Sequence, residues 1–190
     1  MGNSISPEAS RSALEFASGR RIHTSGETGT PWRLQRGIIR LDITAADGQA
    51  AFASLAIAGD ILGCETLLFG TYTFSATALT ECRLTPWPEG VTDNNALLAS
   101  LAGAQRRAAD LVALRGGQAI DRVLGLIRLF ADGAGQVILP ARQDIADITD
   151  LRFETISRII KQLERCHVLQ PIRIEGVHAT RSFTLVSAIA

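Results

Sequence analysis

The sequence predicts an α+β protein in three parts: a β-rich first half, one long helix, and a compact helical unit closed by two short strands. Three observations carry that reading. Apolar runs punctuated by glycine fill the stretch from Trp32 to Trp87; the apolar spacing becomes helical after Thr92 or Asp93; and β-rich residues return only beyond Pro171. The partition that follows is residues 1–90, 91–115 and 116–190.

Within the first part, Gly37 precedes an apolar run from Ile38 to Ile43, Asp47-Gly48 precedes Ala50 to Ile57, and Gly59-Asp60, Gly63 and Gly70 follow. Asp-Gly between two apolar runs favours a tight hairpin, because glycine accepts positive φ cheaply, and regular turn spacing implies antiparallel strands wrapped into a small β-roll. Pro86 and Pro88 close it. Thr92 or Asp93 can cap the helix that comes next.

In that helix Leu97, Leu101, Ala104, Ala108 and Leu111 recur at heptad spacing over about twenty residues, roughly 30 Å. The stripe invites a partner helix, which makes the protein a homodimer; the alternative is that it packs on its own β-roll. Two alanines allow close approach but bury little area, so the zipper alone is weak.

Gly116-Gly117 interrupts the helix. Ile120, Val123, Leu124, Ile127 and Phe130 then trace an amphipathic helix ending near Asp132-Gly133. Leu139-Pro140 introduces a short helix through Ile145 and Ile148, a turn at Thr149-Asp150, and a longer helix from Arg152 to about Cys166. Two helices joined so tightly form a helix-turn-helix, and the pieces Pro171–Glu175 and Arg181–Val186 around Gly176 suit a terminal hairpin, the wing of a winged helix.

Composition limits what such a protein can do. With 19 basic and 19 acidic residues the net charge is zero, so the chain does not bind nucleic acid merely by being basic. Hydrophobic residues make up 46%, enough for one or two compact cores. No apolar run approaches the roughly 20 residues that span a bilayer, and the segment Met1 to Ser12 is polar, without a signal-peptide core; the expectation is a cytoplasmic protein with no membrane partner. Cys64, Cys82 and Cys166 are too few and too widely spaced for a disulfide framework or a metal knuckle and are expected to be buried thiols. No cofactor is expected.

Charge placement is more informative than its sum. In the longer helix Ile156, Ile159, Ile160 and Leu163 follow the i, i+3, i+4, i+7 rule and must face inward. The opposite face displays Glu154, Ser157, Arg158, Lys161 and Arg165. An arginine can fork onto guanine O6 and N7, and a carboxylate can accept from cytosine N4, so this set suits reading double-stranded DNA. The plain alternative is an i,i+4 ion pair between Glu154 and Arg158 on a solvated face, worth a few tenths of a kcal/mol, roughly.

The string Arg142-Gln143-Asp144-Ile145-Ala146-Asp147, then Leu151, Glu154-Thr155-Ile156-Ser157-Arg158 and Lys161-Gln162-Leu163-Glu164, closely resembles the winged-helix region of the CRP/FNR family of bacterial transcription regulators. Upstream, Trp32-Arg33-Leu34-Gln35-Arg36-Gly37-Ile38-Ile39-Arg40-Leu41 and Ala58-Gly59-Asp60-Ile61-Leu62-Gly63 resemble the strands of that family's cyclic-nucleotide-binding-like β-roll, and Phe74-Ser75-Ala76 is placed like the end of its ligand cassette. The resemblance implies that Glu154, Ser157 and Arg158 read bases in a palindrome with TTGA-type half-sites. It implies that Arg142, Gln143, Thr155 and Lys161 lie beside backbone phosphates, and that Leu97, Leu101, Ala104, Ala108 and Leu111 join two subunits. Activation of transcription would add RNA polymerase to the partners.

Two departures fall in the reading region: Asp150 stands where the turn commonly has glycine, and Phe153 stands where one branch has a further arginine. The sensor half departs more. Family members that bind cyclic nucleotides carry a glutamate for the ribose and an arginine for the phosphate where this chain has Cys64 and Phe74. Losing the cation forfeits about 1.5 to 3 kcal/mol per charge-assisted contact, so cyclic AMP is not the expected effector, and the residues identify no other. Glu65, one residue late, is expected on the far side of a strand and does not substitute.

The iron–sulfur sensors of the family it resembles carry an N-terminal cysteine cluster, and with no cysteine before Cys64 a cluster of that kind is not expected here. His23 and Cys64 are the sensor region's candidate haem ligands, and His23, in a polar segment, is expected at the surface. The stretch from Arg20 to Gly37 leaves little room for early strands, so a truncated or partly open barrel is expected.

In the regulator reading two recognition helices stand about 34 Å apart on the dimer and the hinge lies near Leu114 to Gly117, where paired glycines absorb rotation. The departures in the cassette add the expectation that the chain binds DNA without an effector. Two other readings compete: a winged helix used for protein contacts, since the wing carries only Arg173 and Arg181 as cations, and a cupin-like metalloenzyme, which the scattered His23, His167 and His178 do not favour.

Overall fold

In the computed structural model, residues 12–45, 48–88, 94–177 and 181–186 are described. Thr92, Asp93, Asp47 and His178 lie outside them.

The first part is a two-layer antiparallel roll. One sheet takes the order β1 (Leu14–Phe16), β8 (Cys82–Pro86), β3 (Trp32–Arg36), β6 (Ile61–Leu62); the other takes β2 (Arg21–His23), β7 (Ser75–Ala78), β4 (Ile38–Thr44), β5 (Ala50–Ile57). Leu34, Ile39, Ala56, Leu62, Ala76, Ala78 and Leu84 fill the space between them. The β4–β5 hairpin expected from the Asp-Gly turn pairs along its full length, from Ile38 opposite Ile57 to Thr44 opposite Ala50. Gly37 is obligatory at the β3–β4 corner: its φ is +102°, and a Cβ there would lie 2.3 Å from the Glu81 carbonyl oxygen.

The roll is less truncated than the short stretch from Arg20 to Gly37 implies. β1 and β2 precede Trp32 and pair with β8 and β7. Each has only three residues, too short for an alternating pattern to register against background. Nor does Glu65 lie on a strand. It precedes the one-turn helix α1 (Thr66–Phe69), and its carboxylate accepts from the Thr73 backbone N–H at 3.0 Å.

The long helix α2 (Asn94–Ala113) lies against the roll. Arg107, Leu111 and, just beyond its end, Leu114 are buried, and Ser100 Oγ accepts from the Ile61 N–H at 3.0 Å. The buried line is therefore rotated from the expected stripe. Leu111 belongs to the chain's own core with Ile38, Leu55 and Leu79 and is not free for a partner. Leu97 is half-buried, and Leu101, Ala104 and Ala108 are exposed, beside Leu98 at 63% and Val112 at 75%.

The last part packs α3 (Ala119–Phe130), α4 (Arg142–Thr149) and α5 (Phe153–Arg165) on a three-stranded sheet of order β10 (Leu169–Pro171), β11 (Ser182–Leu185), β9 (Gln136–Ile138). β9 has no alternation to announce it; it exists because β11 pairs with it, Phe183 opposite Val137. Ile156, Ile159, Ile160 and Leu163 are buried, as the helical period requires, each contributing about 1.5 to 3 kcal/mol of apolar burial. The wing hairpin starts at Leu169 rather than Pro171.

Not all thiols are inside. Cys82 is buried and its pKa is pushed up to about 11 by burial, Cys64 is half-buried, and Cys166, just past the end of α5, is exposed. Among the described residues no helix is long and apolar enough to cross a membrane.

Candidate nucleic-acid interface

The α4–α5 turn sets the geometry of the site. Asp150 adopts the left-handed conformation (φ 53°, ψ 48°) that a glycine would take more cheaply, and the Leu151 N–H closes the helix end on the Ala146 carbonyl at 3.1 Å. Thr149 Oγ1 donates to the Ile145 carbonyl, and Arg122 of α3 donates to the Thr149 carbonyl at 3.3 Å while its other nitrogens reach the carbonyls of Gly116 and Gly117. Arg122 thereby joins the glycine pair after α2 to the corner of the helix pair. The glycines lie just before Arg122 in the chain, but Thr149 is brought close only by folding, so no local pattern marks the role.

With its apolar side buried, α5 turns Glu154, Arg158, Lys161 and Arg165 outward at intervals of four, three and four residues, all exposed. Thr155 and Ser157 flank this line and are half-buried. Among the described residues none of the four charged groups enters an ion pair, so the i,i+4 pair between Glu154 and Arg158 does not form. Both heads face solvent with their hydrogen-bonding capacity available.

The expected phosphate-side residues divide. Gln143 is exposed and its Nε2 donates to Asp147 Oδ1 at 2.8 Å. Arg142 is half-buried, and burial lowers its pKa, with nearby Glu164 acting in the opposite sense and Arg181 in the same one. Lys161 stands beside Arg158 on the open face.

On the roll, the cassette positions hold no group suited to a phosphate: Cys64 and Phe74 are half-buried. His23 is not at the surface. It is buried, stacks on Tyr72, and has its pKa lowered to about 4, chiefly by burial, against the charge of Glu27 and together with that of Arg21. The Tyr72 hydroxyl donates to the Thr30 carbonyl at 2.8 Å, and its ring packs so close to Gly29 and Gly63 that a Cβ at either would overlap it. A buried ion pair between Arg107 and Asp60 ties α2 to the roll, and Asp60 also accepts from the Ile57 N–H.

Comparison with known proteins adds to this geometry. No protein-family model matches the chain. It is 31% identical to a nitrogen fixation regulation protein FixK of Bradyrhizobium diazoefficiens, over 85% of this chain and 83% of that protein. It is 26% identical to a protein of the same name from Rhizobium meliloti, over 81% of this chain and 76% of that one. The structure of FixK2 from Bradyrhizobium japonicum superposes with a TM-score of 0.67 at 25% identity, covering 92% of this chain and 91% of that one. A CRP-family regulator from Thermus thermophilus, at 24% identity and a TM-score of 0.69 over 91% and 92% of the two chains, shares the fold. These relatives are regulators, not enzymes.

Proposed function

The chain belongs to the CRP/FNR family of transcription regulators, and from that premise we propose that it acts as a homodimer reading a palindromic site with TTGA-type half-sites. The observation that carries the proposal is the open polar face of α5. Glu154, Ser157 and Arg158 read bases, and Arg142, Gln143, Thr155 and Lys161 hold the backbone. Phosphate contacts give salt-dependent affinity; base contacts give the sequence.

The exposed apolar edge of α2, with Leu98, Leu101 and Val112 beside Ala104 and Ala108, supports pairing of two subunits along this helix. Such pairing sets the reading helices about 34 Å apart, one turn of the duplex. Cyclic AMP is not the effector in this proposal: Cys64 and Phe74 offer its phosphate no cation, and Tyr72 with His23 occupies the neighbouring interior. Binding therefore needs no added nucleotide. A gel-shift titration of a TTGA palindrome without any small molecule tests it: a specific complex is expected, and a complex that forms only after cyclic AMP is added refutes it.

A further inference from the structure

Arg40 lies in the middle of β4, opposite Thr77 of β7, and its side chain is only 14% exposed. Its Nε donates to Asp42 Oδ1 at 2.7 Å on the same strand, and its Nη1 donates to Asp147 Oδ2 at 2.7 Å and lies 3.5 Å from Asp144 Oδ1, both on α4. The guanidinium carbon is also 5.7 Å from the centre of the Phe52 ring, which Arg115, in the connection after α2, approaches at the same distance. One cation therefore ties the roll to the first helix of the helix-turn-helix, beside the connection that follows α2.

Each end of this contact meets something that matters. Asp42 stands opposite Ser75, the first residue of β7 and part of the Phe74-Ser75-Ala76 segment. Asp147 uses its second oxygen to hold Gln143. Asp144 and Asp147 place two negative charges on the helix that approaches a polyanion in the proposed function, and Arg40 sets a positive charge beside them. Throughout, Glu154, Arg158 and Lys161 stay exposed, so the clamped arrangement leaves the reading face open.

We propose that Arg40 is a positioning residue for DNA recognition, fixing α4 and hence α5 on the roll through Asp147 and Asp144. The proposal rests on the regulator reading above. A dimer engages two grooves at once only if each winged helix is held in place; a loose one spends binding free energy on ordering. Arg40 touches neither base nor phosphate and acts through α4.

The test uses the full-length dimer and a double-mutant cycle on the palindromic duplex. Arg40→Gln and Asp147→Asn are each expected to weaken binding about tenfold, with the double variant no weaker than either. The slope of log affinity against log salt should stay that of the parent, and Arg40→Lys should recover part of the loss. Additive losses, tighter binding, or a slope smaller by about one, which marks a direct phosphate contact, overturn the proposal. Asp147→Asn changes the more exposed end of the contact, keeps an oxygen that can still accept from Gln143, and serves if Arg40→Gln does not fold.

If the parent protein binds no duplex specifically, the regulator reading fails, and the clamp is then judged by hydrogen exchange without DNA. Amides of 142–149 should exchange faster in Arg40→Gln and Asp147→Asn than in the parent, and unchanged exchange in both refutes the clamp.

Discussion

The imidazole of His23 lies flat on the ring of Tyr72, their centroids 3.6 Å apart and their planes 5° from parallel. The stack is buried, and His23 Nδ1 has no hydrogen-bond partner among the described residues. Protonating the ring would place a desolvated charge in the roll that Glu27 offsets only in part, which is why its pKa is lowered to about 4. In the unfolded chain the same ring titrates near 6.5. The unfolded state thus binds the proton more tightly, and stability is full above about pH 6.5 and falls as the pH drops toward 4, by on the order of 3 kcal/mol. Urea melts from pH 7.5 to 4 should show this loss, and His23→Phe, which keeps a stacking ring, should remove that component; an equal slope in both proteins would contradict the assignment.

Arg107 and Asp60 form a buried ion pair between α2 and the roll. Removing one partner leaves the other charge without its counterpart in a dry site, which typically costs about 3 to 5 kcal/mol. Arg107→Ala should lower the urea midpoint accordingly, and Arg107→Met combined with Asp60→Ala should recover part of the loss. Equal destabilisation by the single and double variants would show that packing, not charge, is what Arg107 supplies.

Leu101, 46% exposed, stands beside Leu98 on the free side of α2, away from the buried line of Arg107 and Leu111. Leu101→Asp should therefore leave the subunit folded, with an unchanged circular dichroism spectrum, while shifting sedimentation equilibrium toward monomer by at least about tenfold in the dissociation constant. A variant that stays dimeric would place the seam elsewhere.

On α5 the outward residues predict separable effects. Arg158→Ala should cost about 1 to 3 kcal/mol on the selected site and relax the preference at one base step, whereas Lys161→Ala should weaken all duplexes alike and reduce the salt slope by about one. Fluorescence anisotropy on matched and mutated duplexes at several salt concentrations distinguishes the two roles. Equal behaviour of the two variants would contradict the division into reading and gripping.

Local signals made most of this legible. The inward set Ile156, Ile159, Ile160 and Leu163 and the open set Glu154, Arg158 and Lys161 follow from the helical period alone, and the pairing of β4 with β5 follows from two neighbouring apolar runs parted by glycine. What stayed hidden depends on pairing across the chain. β9 has three residues and is a strand only because β11 lies beside it. His23 sits in a polar segment, yet Tyr72, far along the chain, covers it. Leu111 fits a heptad stripe but is captured by the patch of Ile38, Leu55 and Leu79. Arg40 and Asp147 are 107 residues apart, beyond the reach of any local pattern.

The central claim, that α5 reads DNA bases from a twofold assembly, is tested most directly by selecting bound sequences from a pool of random duplexes with the parent protein and with Arg158→Ala. An inverted repeat with TTGA-type arms spaced for successive major grooves is expected from the parent, with a base step in each arm blurred in the variant. Recovery of no enriched sequence, of an asymmetric one, or of the same motif from both proteins would contradict it.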